Sequence, residues 1–307
     1  MSVAIVFNQK DTQDWFLKLS ELFPETSVEV YPNIKDKEKI EFLVTWKPHV
    51  NYSNEFPNLK VVHSVGAGVD NLLHTKLPNS VSVARIVDQN LKQDMFEHAL
   101  ACVFNSMKNL NLYNNLKQVK IWNSDSYKSI NDTTITILGL GEIGSFVAEK
   151  LVALGFKVKG WSKHLKYLDK IECYDESNLS QAVAHSDYII NILPLTSETE
   201  SILNFTFFEL LSKNTTIINI GRGAHLNDSD LMLALDHGIV KEAYLDVFNV
   251  EPLPIDHPFW NHPSVFVTPH IAAITNPNSA IFQVVDNFKR FQNNEPLLHQ
   301  VDLNKEY

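Results

Sequence analysis

The sequence predicts an α/β protein made of two doubly wound domains with parallel sheets. Short apolar runs of strand length alternate with helix-period segments along most of the chain, the pattern left by consecutive strand–helix–strand units. A length of 307 residues fits two domains at about 150 residues each. Apolar residues make up 44% and charged residues 20%, an ordinary balance that supports a sizeable core and argues against disorder.

Taken in order, residues 3–7 form an apolar run long enough for a buried strand. Asp11 and Thr12 can cap a helix with Trp15, Phe16, Leu19, Leu22 and Phe23 on one face, stopped by Pro24. Residues 28–31, 42–46, 59–64 and 81–84 read as further strands bounded by Pro, Asn or Gly. From about 91 to 118 neither Gly nor Pro occurs, which predicts one long helix linking two domains. A second series follows, with six strands expected at 133–138, 157–161, 187–192, 215–220, 242–245 and 265–268. Helices are expected at 143–154, 177–185, 205–211, 228–237 and 278–293.

Charge and cysteine content narrow the class. The balance of 26 Lys and Arg against 36 Asp and Glu gives −10, which argues against a nucleic-acid or anionic-membrane surface. Cys102 and Cys173 cannot form a disulfide framework. The N-terminus lacks the basic flank of a signal peptide, and no uncharged apolar run nears the ~20 residues that span a bilayer. The 12 histidines and two cysteines show no metal-ligand spacing. A cytoplasmic protein without a metal centre, acting as an enzyme or a sensor, is the expectation.

Glycine is scarce, and seven of the 10 glycines fall in three clusters: Gly66 and Gly68; Gly139, Gly141 and Gly144; Gly221 and Gly223. The run Gly139-Leu140-Gly141-Glu142-Ile143-Gly144 is a G-x-G-x-x-G between an expected strand and an expected helix. In that setting the first glycine permits a tight turn, the second lets backbone approach a pyrophosphate, and the third lets helix pack on strand. The reading is a dinucleotide-binding Rossmann domain; a plain turn or a methyltransferase loop shares the motif. An acid that would hold the ribose hydroxyls of NAD is expected about 20 residues on. None occurs from Lys150 through Leu168, where Trp161-Ser162-Lys163-His164 ends the next strand instead. Ser162 and Lys163 suit a 2′-phosphate, so NADPH is the expected cofactor and NADH the weaker alternative; a solvated basic loop is the bland alternative.

Further on, Asn219-Ile220-Gly221-Arg222-Gly223 places an arginine between glycines at a strand end, where its fork suits a carboxylate. Leu245-Asp246-Val247-Phe248, Glu251-Pro252-Leu253-Pro254 and Thr268-Pro269-His270-Ile271 follow. Singly, Arg222 could be a structural ion pair, Glu251 a surface acid and His270 a turn residue.

As an ordered set these motifs resemble the D-isomer-specific 2-hydroxyacid dehydrogenase family, and within it the glyoxylate/hydroxypyruvate reductase A subgroup. Gly66-Ala67-Gly68-Val69-Asp70 and Asn191-Ile192-Leu193-Pro194-Leu195-Thr196 match as well, so the resemblance covers nearly the whole chain. It implies hydride transfer between a nicotinamide and a small 2-keto acid, glyoxylate or hydroxypyruvate, with bulkier 2-keto acids or a dinucleotide-sensing binding protein of the same fold as alternatives. Arg222 would bind the carboxylate and polarise the carbonyl, His270 would act as general acid/base, and Glu251 would orient His270.

Leu193, Pro194, Ile220, Gly221 and Asp246 would join the glycine loop, Ser162 and Lys163 on the cofactor side, with a structural cap as the alternative for Asp246. Ala67, Gly68 and Val69 would cradle the substrate carboxylate. Trp46 would lie beside the substrate or in the core, and Arg85 would be a second cationic contact or a surface group. The implied architecture inserts the Rossmann domain, residues 99–281, into a flavodoxin-like substrate domain, residues 1–98 and 282–307. A homodimer is implied too.

Overall fold

The computed structural model describes residues 2–8, 11–47, 51–73, 77–78 and 80–302. Residues 1 and 303–307, assigned above to the substrate domain, lie outside the described residues. The chain divides into two units, Met1–Leu91 with Thr275–Tyr307, and Lys92–Ile274. Both crossings fall seven residues before the expected ones, the first inside the helix Gln89–Met107.

In the first unit, β1 (Ser2–Phe7) sends Val3 and Ile5 to one face and Ala4 and Val6 to the other, each into a buried apolar cluster. Burial on both faces is what a parallel sheet covered by helices requires. β2 (Ser27–Val30), β3 (Ile40–Trp46), β4 (Val61–Ser64) and β5 (Ser82–Ala84) complete it in the order β2-β1-β3-β4-β5, all parallel. That is the flavodoxin-like order. Trp15 and Leu19 of the helix Gln13–Leu22 pack with Ile281, Val284 and Phe288 of the helix Pro277–Gln292 over one face.

The second unit holds seven parallel strands: β6 (Thr134–Leu138), β7 (Lys157–Trp161), β8 (Glu172–Tyr174), β9 (Tyr188–Asn191), β10 (Thr215–Asn219), β11 (Val240–Leu245) and β12 (Val265–Val267). Their order, β12-β11-β10-β9-β6-β7-β8, is the Rossmann arrangement with one further edge strand. The strand order reverses at β6, so the loop after β6 opens at the switch point where such sheets bind ligands.

Two expectations are corrected. The long helix is two, Gln89–Met107 and Leu110–Gln118, broken where Asn109 takes a left-handed backbone at φ 53°. Asparagine tolerates that conformation, so no glycine or proline marks the break. The sheet also has a seventh strand, β8, three residues long and paired only at the edge with β7, too short for alternation to announce it.

One buried polar contact ties β4 to the last helix. His63 is fully buried, with Nδ1–H donating to the Ser64 carbonyl at 3.0 Å and Nε2 accepting from Asn287 at 3.0 Å. Burial, with a smaller contribution from His299, lowers its pKa from 6.5 to about 4. The unfolded chain takes up a proton below 6.5 that the folded chain refuses until about 4, so stability falls as pH drops through that window. The expected loss is on the order of 3 kcal/mol, and His63→Gln should remove this component. Urea unfolding of both proteins between neutral pH and pH 4 tests it; equal pH slopes would contradict it.

Candidate active site

Every candidate of the second unit follows the carboxyl end of a parallel strand, in the loop that leaves it or, for Glu142, Ile143 and Gly144, in the first turn of the helix Glu142–Ala153. Gly139, at φ 102°, starts the turn after β6, where its N–H donates to the Trp161 carbonyl at 2.8 Å. A Cβ on Gly144 would overlap the Gly139 carbonyl oxygen, so strand and helix meet at a distance only glycine allows. Gly141 differs, because a Cβ there would touch nothing within 4 Å. Among the described residues no neighbour requires this glycine, and it leaves open space above the loop. Gly141 also caps the helix Glu142–Ala153 without a side-chain hydrogen bond. The loop thus fits the pyrophosphate of a dinucleotide, which would take the uncapped N–H groups. The Leu140 side chain is buried against Gly160, so only its backbone faces this space.

At the end of β7, Ser162 donates through Oγ to the His164 carbonyl at 2.8 Å. Lys163 holds both carboxylate oxygens of Glu198, at 2.6 and 2.5 Å. Lys163 is therefore already paired, with an acid from the segment after β9, a proximity that a separation of 35 positions hides.

The Arg222 loop is set by buried amides. Asn191, Asn219 and His225 are fully buried. His225 Nδ1 accepts from the Arg222 N–H at 3.1 Å and from Asn191 Nδ2 at 2.9 Å. Two donors on Nδ1 leave Nε2 protonated, donating to the Pro194 carbonyl at 3.2 Å. Asn191 Nδ2 also donates to Asn219 Oδ1 at 2.9 Å, and Asn219 Nδ2 to the Arg222 carbonyl at 3.1 Å. Arg222 is thus gripped at its backbone N–H and C=O, and its guanidinium donates to the Gly221 carbonyl at 2.8 Å. His225, Asn191 and Asn219 escaped the sequence reading as site residues, although all three lie in or beside its matched motifs. Leu193 and Ile220 are buried, held by Asn191: the Leu193 N–H donates to its side chain at 3.2 Å and the Ile220 N–H to its carbonyl at 3.2 Å.

Glu251 and His270 meet directly. Nδ1–H of His270 donates to Glu251 Oε1 and Oε2 at 2.9 and 2.8 Å, and Glu251 Oε1 also accepts from the Phe248 N–H at 3.2 Å. The pair fixes the ring tautomer, with the proton on Nδ1 and Nε2 on the side away from Glu251. His270 stands at φ 56°, a conformation that costs a non-glycine residue of order 1 kcal/mol or more.

Asp246 imposes that conformation. It is 1% exposed; Oδ1 accepts from Thr268 Oγ1 at 2.6 Å and from the Ile271 N–H at 2.9 Å, and Oδ2 from the Ala272 N–H at 2.8 Å. A carboxylate this buried caps the loop that carries His270, the structural role weighed above beside its place on the cofactor side.

In the first unit, Trp46 ends β3 partly buried, its ring against Gly66, where a Cβ would collide with it. The Gly66 N–H donates to Ser64 Oγ at 3.1 Å. Arg85 donates to the Ala67 carbonyl at 3.1 Å, so it braces the loop carrying Ala67 and Gly68. Val69 is buried in a core cluster, which leaves it only a backbone part in any anion cradle. Among the described residues no group of three or more His, Cys, Asp or Glu could hold a metal ion, and no helix is long and apolar enough to cross a membrane.

Known proteins share this architecture and sequence. Residues 100–272 match the family described as D-isomer specific 2-hydroxyacid dehydrogenase, NAD binding domain. The chain is 37% identical over 286 residues to a glyoxylate/hydroxypyruvate reductase A of Serratia proteamaculans, covering 90% of each. A D-isomer specific 2-hydroxyacid dehydrogenase of Xanthobacter autotrophicus, solved with NADPH and MES, superposes with a TM-score of 0.95 at 33% identity, covering 100% of this chain and 99% of that one. An NADPH-dependent glyoxylate/hydroxypyruvate reductase of Sinorhizobium meliloti, solved with NADP and sulfate, gives 0.94 at 33% identity, covering 100% of both chains.

Asp246→Asn would set an amide N–H against a backbone N–H. It should lower stability by roughly 1.5–3 kcal/mol, the range for a hydrogen bond to a charged group. It should also release the Ile271 and Ala272 amides to hydrogen exchange; unchanged protection of those two amides would contradict the anchoring role.

Proposed function

The chain belongs to the D-isomer-specific 2-hydroxyacid dehydrogenase family and is an NAD(P)-dependent oxidoreductase; from that premise we propose that it reduces glyoxylate to glycolate and hydroxypyruvate to D-glycerate, with NADPH preferred over NADH. The carrying observation is the Glu251–His270 pair, at 2.8 Å, on a loop whose conformation a buried carboxylate dictates. The names of the Serratia and Sinorhizobium relatives support the substrate class.

In this reading the nicotinamide supplies a hydride to the carbonyl carbon. Arg222 binds the substrate carboxylate and polarises the carbonyl, oriented by its glycine-flanked loop and the buried Asn219 and His225. His270 gives its Nε2 proton to the carbonyl oxygen and takes it back in the reverse oxidation, with Glu251 holding the ring. Ala67 and Gly68 offer backbone N–H groups to the carboxylate, and Trp46 limits substrate size. Ser162 and Lys163 serve the 2′-phosphate, with Lys163 exchanging Glu198 for it.

The protein works as a cytoplasmic homodimer through its second unit. Leu110, Val119, Ile121, Trp122 and Tyr127 expose large apolar side chains within one short stretch, Trp122 completely. That stretch is pinned at its base, where the Asp125 N–H donates to Tyr113 Oη at 3.0 Å and Lys128 pairs with Asp187 at 2.6 Å. A second copy of the same surface is the occupant proposed for this apolar stretch.

Following nicotinamide absorbance with purified protein, NADPH loss is expected on adding glyoxylate or hydroxypyruvate, with a lower kcat/KM for NADH. His270→Ala should lower kcat by about 10²–10⁴-fold with folding intact, and Arg222→Ala should cost roughly 2–5 kcal/mol in kcat/KM. Tight NADPH binding without turnover of these or larger 2-keto acids would replace the enzyme reading with the sensor one. Light scattering should give a dimer mass that Trp122→Ser shifts toward monomer; a wild-type monomer at micromolar concentration would overturn the interface.

A further inference from the structure

The glycine loop carries an acid where an anion is meant to bind. Glu142 is the first residue of the helix Glu142–Ala153, directly after Gly141, and its side chain is 54% exposed. A carboxylate in the first turn takes up the same positive helix end that would attract a phosphate. It also repels an arriving pyrophosphate. The structure answers that charge from another element. Lys92, near the start of the helix Gln89–Met107, places Nζ 2.6 Å from Glu142 Oε2. Its side chain is only 15% exposed, so the stem is packed and the ammonium is held at the loop.

We propose that Lys92 is a cofactor-binding residue: it neutralises Glu142 and presents the cation that the dinucleotide pyrophosphate meets at the glycine loop. This rests on the dinucleotide reading of the loop, which the open space at Gly141 supports independently. The pyrophosphate is common to NADPH and NADH, so Lys92 acts on both alike, whereas Lys163 distinguishes them. Glu142 sets the strength of the effect, because the phosphates must compete with it for the same ammonium.

The test is direct binding, by fluorescence titration of NADPH and of NADH to the full-length protein, with thermal unfolding as a control. Lys92→Met takes this cation away from Glu142 and from the loop and should raise both Kd values by tenfold or more. Glu142→Gln should bind both at least as tightly as wild type, and the double variant should recover most of the loss. Lys92→Arg, which keeps the charge, should stay near wild type and keeps the test open should Lys92→Met unfold.

The inference is overturned by a Kd within twofold of wild type for a folded Lys92→Met, or by a large loss in Lys92→Arg. A Glu142→Gln variant as weak as Lys92→Met would mark a merely structural ion pair, and a loss confined to NADPH would place Lys92 at the 2′-phosphate; either overturns it too. Failure of the underlying dinucleotide reading looks different, because wild type itself would then bind neither nucleotide.

Discussion

A carboxylate buried at the end of β11 fixes the loop that carries His270. Asp246 has exchanged water for three donors, all on the loop of residues 268–272 that leaves β12. A buried charge is tolerable only when its hydrogen bonds are made, so the loop has one way to lie. That way puts His270 at φ 56° and its imidazole on Glu251. The backbone strain at His270 is held by contacts on both sides of it, Thr268 before and Ile271 and Ala272 after. The same charge reaches the helix Gln89–Met107: burial first, then Asp246, pushes the Cys102 thiol up to about 12, so Cys102 stays a neutral packing group.

The Arg222 loop reaches comparable rigidity without a charge. Asn191, Asn219 and a neutral His225 form a closed set of buried hydrogen bonds around the Arg222 backbone. Such a network suits a loop meant to present a guanidinium. A buried acid there would pair with the arginine and compete with a carboxylate ligand, whereas neutral amides hold its backbone without adding a negative charge beneath it. The two supports therefore differ in a way that suits the proposed roles: an anion beneath the loop proposed for proton transfer, neutral groups beneath the loop proposed to bind a carboxylate.

Much of this was legible in the sequence because it is local. Five strands of the first sheet and six of the second follow from short apolar runs, and the glycine loop from one motif in the right setting. The order Arg222, Glu251, His270 was readable, and the contact joining Glu251 to His270 is present. What could not be read depends on side chains brought together across the fold. Asp246 looks like any acid after a strand until its partners are seen 22 to 26 positions away. His225 reads as the third residue after Arg222, and only the buried geometry turns it into a support. Asn109 breaks the long helix with a residue that looks permissive, and β8 is too short to carry a period.

Lys163 and Lys92 share a logic that their spacing conceals. Each lies at a cofactor loop of the second unit, and each is already paired with an acid, Glu198 and Glu142. In a chain of net charge −10, an uncompensated pair of lysines would attract anions of every kind. Pairing turns phosphate binding from simple attraction into exchange: an arriving group gains the difference between its own contact and the one it displaces. Inorganic anions that reach one lysine gain little, because one ion pair replaces another. A dinucleotide that engages the loop N–H groups and both lysines in one rigid arrangement gains the backbone contacts as well. With the two lysines in the roles proposed for them, selectivity for the whole cofactor over its charged fragments comes from the acids as much as from the lysines: the carboxylates oppose every arriving anion, and only a ligand with the additional backbone contacts overcomes them.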